Sequence, residues 1–346
     1  MKNNIRIFIL LLSIAMFIAS CKQKESAPTV VSTADYFNYK DSVEAGGVKM
    51  IPITTPVGNF KVWTKRFGTN PKIKVLLLHG GPAMTHEYME CFETFFQREG
   101  FEFYEYDQLG SYYSDQPTDN SLWNIDRFVD EVEQVRKAIN ADKDNFYVLG
   151  NSWGGILAME YALKYQKNLK GLLVSNMMAS APEYVKYAEV LAKQMKPEVL
   201  AEVRAIEAKK DYANPRYTEL LFPNYYAQHI CRLPEWPDAL NRSLKHVNST
   251  VYTLMQGPSE LGMSTDARLA KWDIKNRLHE IATPTLMIGA KYDTMDPKAM
   301  EEQSKLVQKG SYLYCPNGSH LAMWDDQKVF MTGVIKFIKD VDSGKL

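Results

Sequence analysis

One segment constrains this chain more than any other. Phe146-Tyr-Val-Leu-Gly-Asn-Ser152-Trp-Gly-Gly-Ile-Leu-Ala-Met-Glu160 runs four strand-favouring residues into Gly-x-Ser-x-Gly and then into a helical pattern. A strand that turns sharply into a helix holds one serine up at the bend, the layout of a nucleophile elbow. Gly150 and Gly154 let two backbone stretches pass where a Cβ would clash. The helix N-terminus beneath Ser152 aims backbone N–H groups and a positive dipole end at a forming oxyanion. The segment therefore predicts an α/β fold with Ser152 as nucleophile. A Gly-rich turn carrying a solvent-facing serine is the competing reading of the same residues.

The rest of the chain supplies the sheet that such an elbow needs. Residues 48–67 alternate around a turn at 55–59 and predict an opening hairpin. Apolar runs at 74–78, 101–106, 146–149, 169–174, 285–288 and 311–314 read as buried parallel strands. Helical patterns lie between several of them, such as 125–139 with apolar residues at 125, 128, 129, 132, 135 and 139. Strands alternating with helices imply a mostly parallel sheet covered on both faces. The alternation stops at 181–270, where helical stretches at 182–195 and 197–210 are broken by Pro215, Pro223, Pro234, Pro237 and Pro258. A helical insertion between two strands is expected to cap the C-terminal edge of the sheet, where open α/β sheets bind ligands. The expected core then comprises 45–180 and 271–346, with the cap at 181–270.

The first 21 residues read as an address. Lys2 and Arg6 precede a predominantly apolar run at 7–18, shorter than the about 20 residues a bilayer core requires and matching a secretory signal. It ends in Ile18-Ala19-Ser20-Cys21, which is similar to a bacterial lipoprotein signal, small residues before a cysteine that becomes lipidated. An ordinary signal peptide with a chance cysteine is the alternative. Residues 22–44 read as a tether. The expected location is the bacterial cell envelope, with a lipid on Cys21 in the membrane and the protein facing the periplasm or the cell surface. Apolar residues make up 45% of the chain and its formal net charge is zero, which excludes a disordered chain and leaves nothing basic for nucleic acid. The cysteines, at 21, 91, 231 and 315, form no CxxC pair and support neither a disulfide framework nor a zinc site. No cofactor is expected.

A serine hydroxyl needs a positioned base, and the base needs a carboxylate to fix its tautomer. In this fold the order is Ser, then Asp or Glu, then His. Six histidines leave few choices. Histidines 229, 246 and 279 lie in or just after the cap and read as surface or packing residues. His320 lies in Cys315-Pro-Asn-Gly-Ser-His320, straight after the last strand, and is the expected base. Asp293, after the strand at 285–288, is favoured as the acid, with Asp296 as its rival. The strand at 74–78 runs into His79-Gly80-Gly81-Pro82, an oxyanion-loop pattern in which Gly81 and, after the serine, Trp153 would offer backbone N–H groups. His79 itself reads as a brace for that loop.

Taken together, His79-Gly-Gly-Pro, Asp107-Gln-Leu-Gly110 with Ser114, Gly150-Asn-Ser-Trp-Gly-Gly155, Gly257-Pro-Ser-Glu260, Tyr292-Asp293 and Gly318-Ser-His320 resemble the proline iminopeptidase family of α/β-hydrolases over about residues 45–340. The resemblance implies an α/β-hydrolase core with a helical cap. It also implies a triad of Ser152, Asp293 and His320, and release of the N-terminal residue, often proline, from short peptides or aminoacyl amides. Acidic cap residues hold the substrate's α-amino group in this family; Glu260 matches one, and Glu235 is the nearest candidate for a second. Two positions depart from the usual pattern, Ala83 and Asn151, where glycine is common. Both are expected to line the floor of the acyl pocket and to bear on the strictness of proline preference. Two other readings compete: an esterase or amidase on small acyl substrates without a free amine, and a lipid-anchored binding protein on an inactive hydrolase scaffold.

Overall fold

A computed structural model of the chain describes residues 45–346; the leader, Cys21 and the tether at 22–44 lie outside the described residues. The strands are β1 (Val48–Thr55), β2 (Gly58–Phe67), β3 (Lys74–Leu78), β4 (Glu102–Tyr106), β5 (Phe146–Asn151), β6 (Gly171–Ser175), β7 (Thr285–Ala290) and β8 (Gly310–Cys315). They form one sheet in the order β1-β2-β4-β3-β5-β6-β7-β8. The β1–β2 hairpin joins antiparallel through β2–β4, and every other neighbouring pair is parallel.

Side chains alternate faces along a strand, so each central strand feeds two cores. Leu76, Leu78, Val148, Leu172 and Val174 face one layer, which contains helices α2 (Ile125–Ala138) and α3 (Trp153–Tyr165). Val75, Leu77, Tyr147, Leu149 and Leu173 face the other, with α1 (Cys91–Arg98) and the C-terminal helix Gln327–Asp342. Helix α2 begins where Asn124 accepts a hydrogen bond from Arg127 N–H at 3.0 Å, a side-chain N-cap. The last strand departs from expectation. β8 is an edge strand that is buried fully only at Cys315, because it has a neighbour on one side alone.

Between β6 and β7 the chain forms α4 (Ala181–Ala192), α5 (Pro197–Ala208), α6 (Pro215–Leu221), α7 (Ala227–His229), α8 (Asp238–Lys245) and α9 (Ser249–Met255). Ser180 caps α4 and Pro182 lies in its first turn, the placement that suits a residue without an N–H. Pro223 does not break its helix as the sequence suggests. It sits inside a π-helical turn, Phe222–Tyr226, that joins α6 to α7; the widened turn absorbs the missing donor.

One buried carboxylate fastens this insertion to the sheet. Glu87, in the 3-10 turn His86–Met89, accepts from Thr85 Oγ1 (2.8 Å), Tyr113 Oη (3.0 Å), Arg242 Nη1 (2.6 Å) and His246 Nδ1 (2.7 Å). Arg242 lies in α8 and His246 caps it. Burial pushes the Glu87 carboxyl up, but the hydrogen bonds from His246, Thr85 and Tyr113 outweigh it and hold the group below its ordinary value. A depressed carboxylate stabilises the fold above its unfolded pKa and loses that contribution as pH falls through the folded one. Glu87→Ala should therefore cost on the order of 1–3 kcal/mol near neutrality, read as a lower urea midpoint. The gap from wild type should narrow on acidification; a gap that does not change with pH would contradict this role.

Candidate active site

The elbow is built by close backbone passage. Ser152 stands between β5 and α3 with φ 56° and ψ −125°, a conformation that costs an L-residue about 1–3 kcal/mol. A Cβ on Gly150 would fall 1.9 Å from Gly154 O, and one on Gly154 would fall 2.0 Å from Leu78 O. Only glycine fits either place. Ser152 N–H donates to Ser175 O at 3.0 Å, tying the bend to β6.

His320 Nδ1 donates to Asp293 Oδ1 at 2.8 Å, and both side chains are buried. Asp293 also accepts from Asn176 Nδ2 (2.6 Å) and Met295 N–H (3.1 Å). Asp296, its rival in the sequence, instead caps the helix Pro297–Ser304 through Lys298 N–H. Burial would push the His320 imidazole down, but the Asp293 charge and hydrogen bond outweigh it, with help from Glu260 and Asp325, and the group sits above its ordinary value. That favours the imidazolium formed when a base takes a serine proton. Ser152 and His320 line the same cavity. The Ser152 hydroxyl makes no hydrogen bond among the described residues.

Two backbone N–H groups near the elbow are left without an acceptor among the described residues. Gly80 N–H is taken by Tyr88 Oη at 2.7 Å, whereas Gly81 (φ 111°) and Trp153, at the start of α3, have no hydrogen-bond acceptor among the described residues. His79 braces this loop. Its Nδ1 donates to Gly80 O (2.8 Å) and its Nε2 accepts from Gln108 N–H (3.1 Å); burial lowers its pKa, so the ring is neutral. Ala83 does not line the pocket floor, contrary to the sequence reading. It is buried at φ 59°, and its carbonyl accepts from Asn248 N–H at the start of α9, so glycine's advantage there is conformational. Asn151 does line the cavity.

That cavity, of about 430 Å³, is walled mainly by apolar and aromatic side chains from the insertion, among them Phe222, Tyr226, Trp236 and Tyr252. Glu260 is its one carboxylate among the described residues. Its oxygens accept from Tyr252 Oη, Gln256 Nε2 (3.2 Å) and Tyr184 Oη (3.4 Å), and no cationic side chain pairs with it among the described residues. Burial, followed by the Glu260 charge, pushes the Tyr252 and Tyr184 phenols up, so both remain donors. Glu235 is not brought to the site: it is exposed and absent from the cavity wall, which its neighbour Trp236 joins instead. The loop 233–237 turns the proline-flanked glutamate outward and the indole inward.

Sequence reasoning missed the groups that hold the reactive ones. Asn176, at φ 55°, grips Asp293; Thr294 Oγ1 lies 3.0 Å from His320 Nδ1; His320 N–H donates to His229 O at 2.9 Å. Asn176 directly follows β6, beside the elbow strand, and that position was its one available signal.

A serine at a strained strand-to-helix bend, sharing one cavity with a histidine that a buried aspartate holds, defines a serine hydrolase of the α/β class. The family model for the alpha/beta hydrolase fold matches residues 74–327. A proline iminopeptidase of Elizabethkingia meningoseptica is 95% identical over 294 residues, covering 85% of this chain and 99% of that one. One of Flavobacterium johnsoniae is 85% identical over 298 residues, covering 86% and 100%. Among solved structures, the proline iminopeptidase of Mycobacterium smegmatis matches with a TM-score of 0.75 at 27% identity, covering 85% of this chain and 100% of that one. The chain belongs to the proline iminopeptidase family of α/β-hydrolases.

Replacing Ser152 or His320 by Ala should lower kcat by a factor on the order of 10⁶, with the fold intact by circular dichroism. Asp293→Asn should cost about 10⁴. The base must be neutral to act, so kcat/KM should fall on the acid side through a pKa above that of free histidine, and removing the Asp293 charge should move that limb to lower pH. A limb unmoved by Asp293→Asn would contradict the pairing.

Proposed function

We propose that this chain is a serine aminopeptidase that releases an N-terminal proline, or another small apolar residue, from short peptides and aminoacyl amides. The observation that carries this reading is Glu260, a carboxylate without a cationic partner among the described residues, on the wall of a mainly apolar and aromatic cavity that also holds Ser152 and His320. A carboxylate held by neutral donors in such a place is completed by a substrate cation. One charge suits one ammonium, and the apolar wall suits a pyrrolidine ring. An ester without an amine would leave Glu260 unpaired, which disfavours the esterase reading.

Glu260 holds the substrate's N-terminal ammonium and so sets the first carbonyl against Ser152. His320 takes the serine proton as Oγ attacks the carbonyl carbon, and Gly81 and Trp153 N–H groups receive the oxyanion. His320 returns the proton to the leaving amine as the C–N bond breaks. Water then attacks the acyl-enzyme by the same route and frees the amino acid and Ser152.

Losing one partner of a desolvated ion pair costs roughly 2–5 kcal/mol, or about 30- to 5,000-fold in kcat/KM. Glu260→Gln should impose that loss on substrates with a free N-terminus and change little for a simple ester or an N-acetylated substrate. Similar losses on both kinds would show a brace for the insertion rather than an amine site. Equal wild-type kcat/KM on blocked and free peptides would favour the esterase reading.

The leader supports a second proposal, that a lipid on Cys21 anchors the enzyme at a membrane of the cell envelope. Its substrates would then be peptides met in the periplasm or at the cell surface. Cys21→Ala should release a fully active enzyme into the soluble fraction and abolish palmitate incorporation. Unchanged membrane association without label would contradict the anchor.

A further inference from the structure

Tyr88 is buried on the wall of the reaction cavity, yet the triad, the oxyanion donors and the amine site make no use of its hydroxyl. Both hydrogen-bonding functions of that hydroxyl are engaged. It accepts from Gly80 N–H at 2.7 Å and donates to Asn151 Oδ1 at 2.9 Å. Gly80 precedes the oxyanion donor Gly81, and Asn151 precedes the nucleophile. The Asn151 amide continues the chain of contacts, with Nδ2 reaching Ser175 O at 3.4 Å and His320 O at 3.5 Å. One phenol thus connects the oxyanion loop to the elbow, and one amide connects the elbow to the loop of the base. Space enforces the arrangement: a Cβ on Gly80 would lie 3.0 Å from Ser152 Cβ and 3.2 Å from Tyr88 Oη.

We propose that Tyr88 and Asn151 form a positioning pair that sets the Gly81 and Trp153 donors against Ser152. The inference rests on the hydrolase reading above but not on any preference for proline. Without the phenol oxygen, Gly80 N–H is free to compete with Gly81 for the oxyanion or to turn with its loop. The distance between loop and elbow is then set by packing alone. Burial raises the phenol's pKa, so the hydroxyl keeps its proton and its link to Asn151 throughout the working pH range.

Tyr88→Phe retains the ring and removes only the oxygen. Leaving two buried groups unpartnered should lower kcat about 10- to 100-fold, less than the roughly 10²- to 10³-fold cost of losing an oxyanion donor outright. KM and inhibition by free proline should not change, because the ring and Glu260 are untouched. An uncharged alkyl fluorophosphonate separates this pair from the amine site. Ser152 Oγ bonds to phosphorus, fluoride leaves, the serine proton passes to His320, and the phosphoryl oxygen occupies the oxyanion hole. Labelling of Tyr88→Phe should slow in parallel with kcat, and adding Asn151→Ala should add less than its separate cost. If Tyr88→Phe does not fold, Asn151→Ala alone cuts the same link and should slow labelling likewise. Labelling and kcat within about twofold of wild type, or equal losses in kcat and in proline affinity, would overturn the pair. A wild-type enzyme that takes no label would overturn the hydrolase reading and the pair with it.

Discussion

Ser152 occupies a backbone conformation that an L-residue adopts only under compulsion, φ 56° and ψ −125°. The compulsion comes from three backbone stretches, the end of β3, the end of β5 and the start of α3, that pass too closely for any Cβ at Gly150 or Gly154. That crossing places Ser152 at the C-terminal edge of the sheet and leaves the first N–H of α3 without an acceptor among the described residues. The loops after β3, β7 and β8 emerge at the same edge, because parallel strands all end there. They carry Gly81, Asp293 and His320. One steric constraint thus decides where the nucleophile stands, and the parallel sheet decides what can reach it.

The inserted helices do more than cover the site. His320 and Leu321 N–H groups donate to the carbonyls of His229 and Ile230, so the base's loop hangs partly on the insertion. Glu87 draws Arg242 and His246 onto the core, and Glu260 stands on the wall of the cavity that Ser152 also lines. The wall of the cavity and the loop of the base therefore share a support. This links how firmly the helices are held to how well the reaction is aligned.

The elements with strong local signals were legible in the sequence. β3 was expected at 74–78 and stands at Lys74–Leu78; the period of 125–139 became Ile125–Ala138. The elbow was legible because its glycines answer a backbone need, and the Asp–His pair because chain order in this fold leaves few candidates. What was not legible depends on side-chain direction within irregular segments. Glu235 and Trp236 are adjacent, and the sequence cannot say which of them turns inward. Ala83 was assigned to the pocket floor from its place after His79-Gly-Gly-Pro, yet its carbonyl serves α9. Pro223 looked like a break because a π turn leaves no local mark. Tyr88, Asn176 and Thr294 act through hydrogen bonds to Asn151, Asp293 and His320, each well away in the chain, and no periodicity records such bonds.

The central claim is that one cavity holds the reacting carbonyl at Ser152 while Glu260 holds the amine. A crystal structure with pyrrolidine-2-boronic acid tests it most directly, since boron takes the place of the carbonyl carbon and the ring nitrogen remains free. The account predicts a bond from Ser152 Oγ to boron, one boron oxygen within about 3.2 Å of the Gly81 and Trp153 N–H groups, and the ring nitrogen in hydrogen-bond range of Glu260. A boronate bound to Ser152 with its nitrogen turned away from Glu260, or one bound elsewhere, would contradict it.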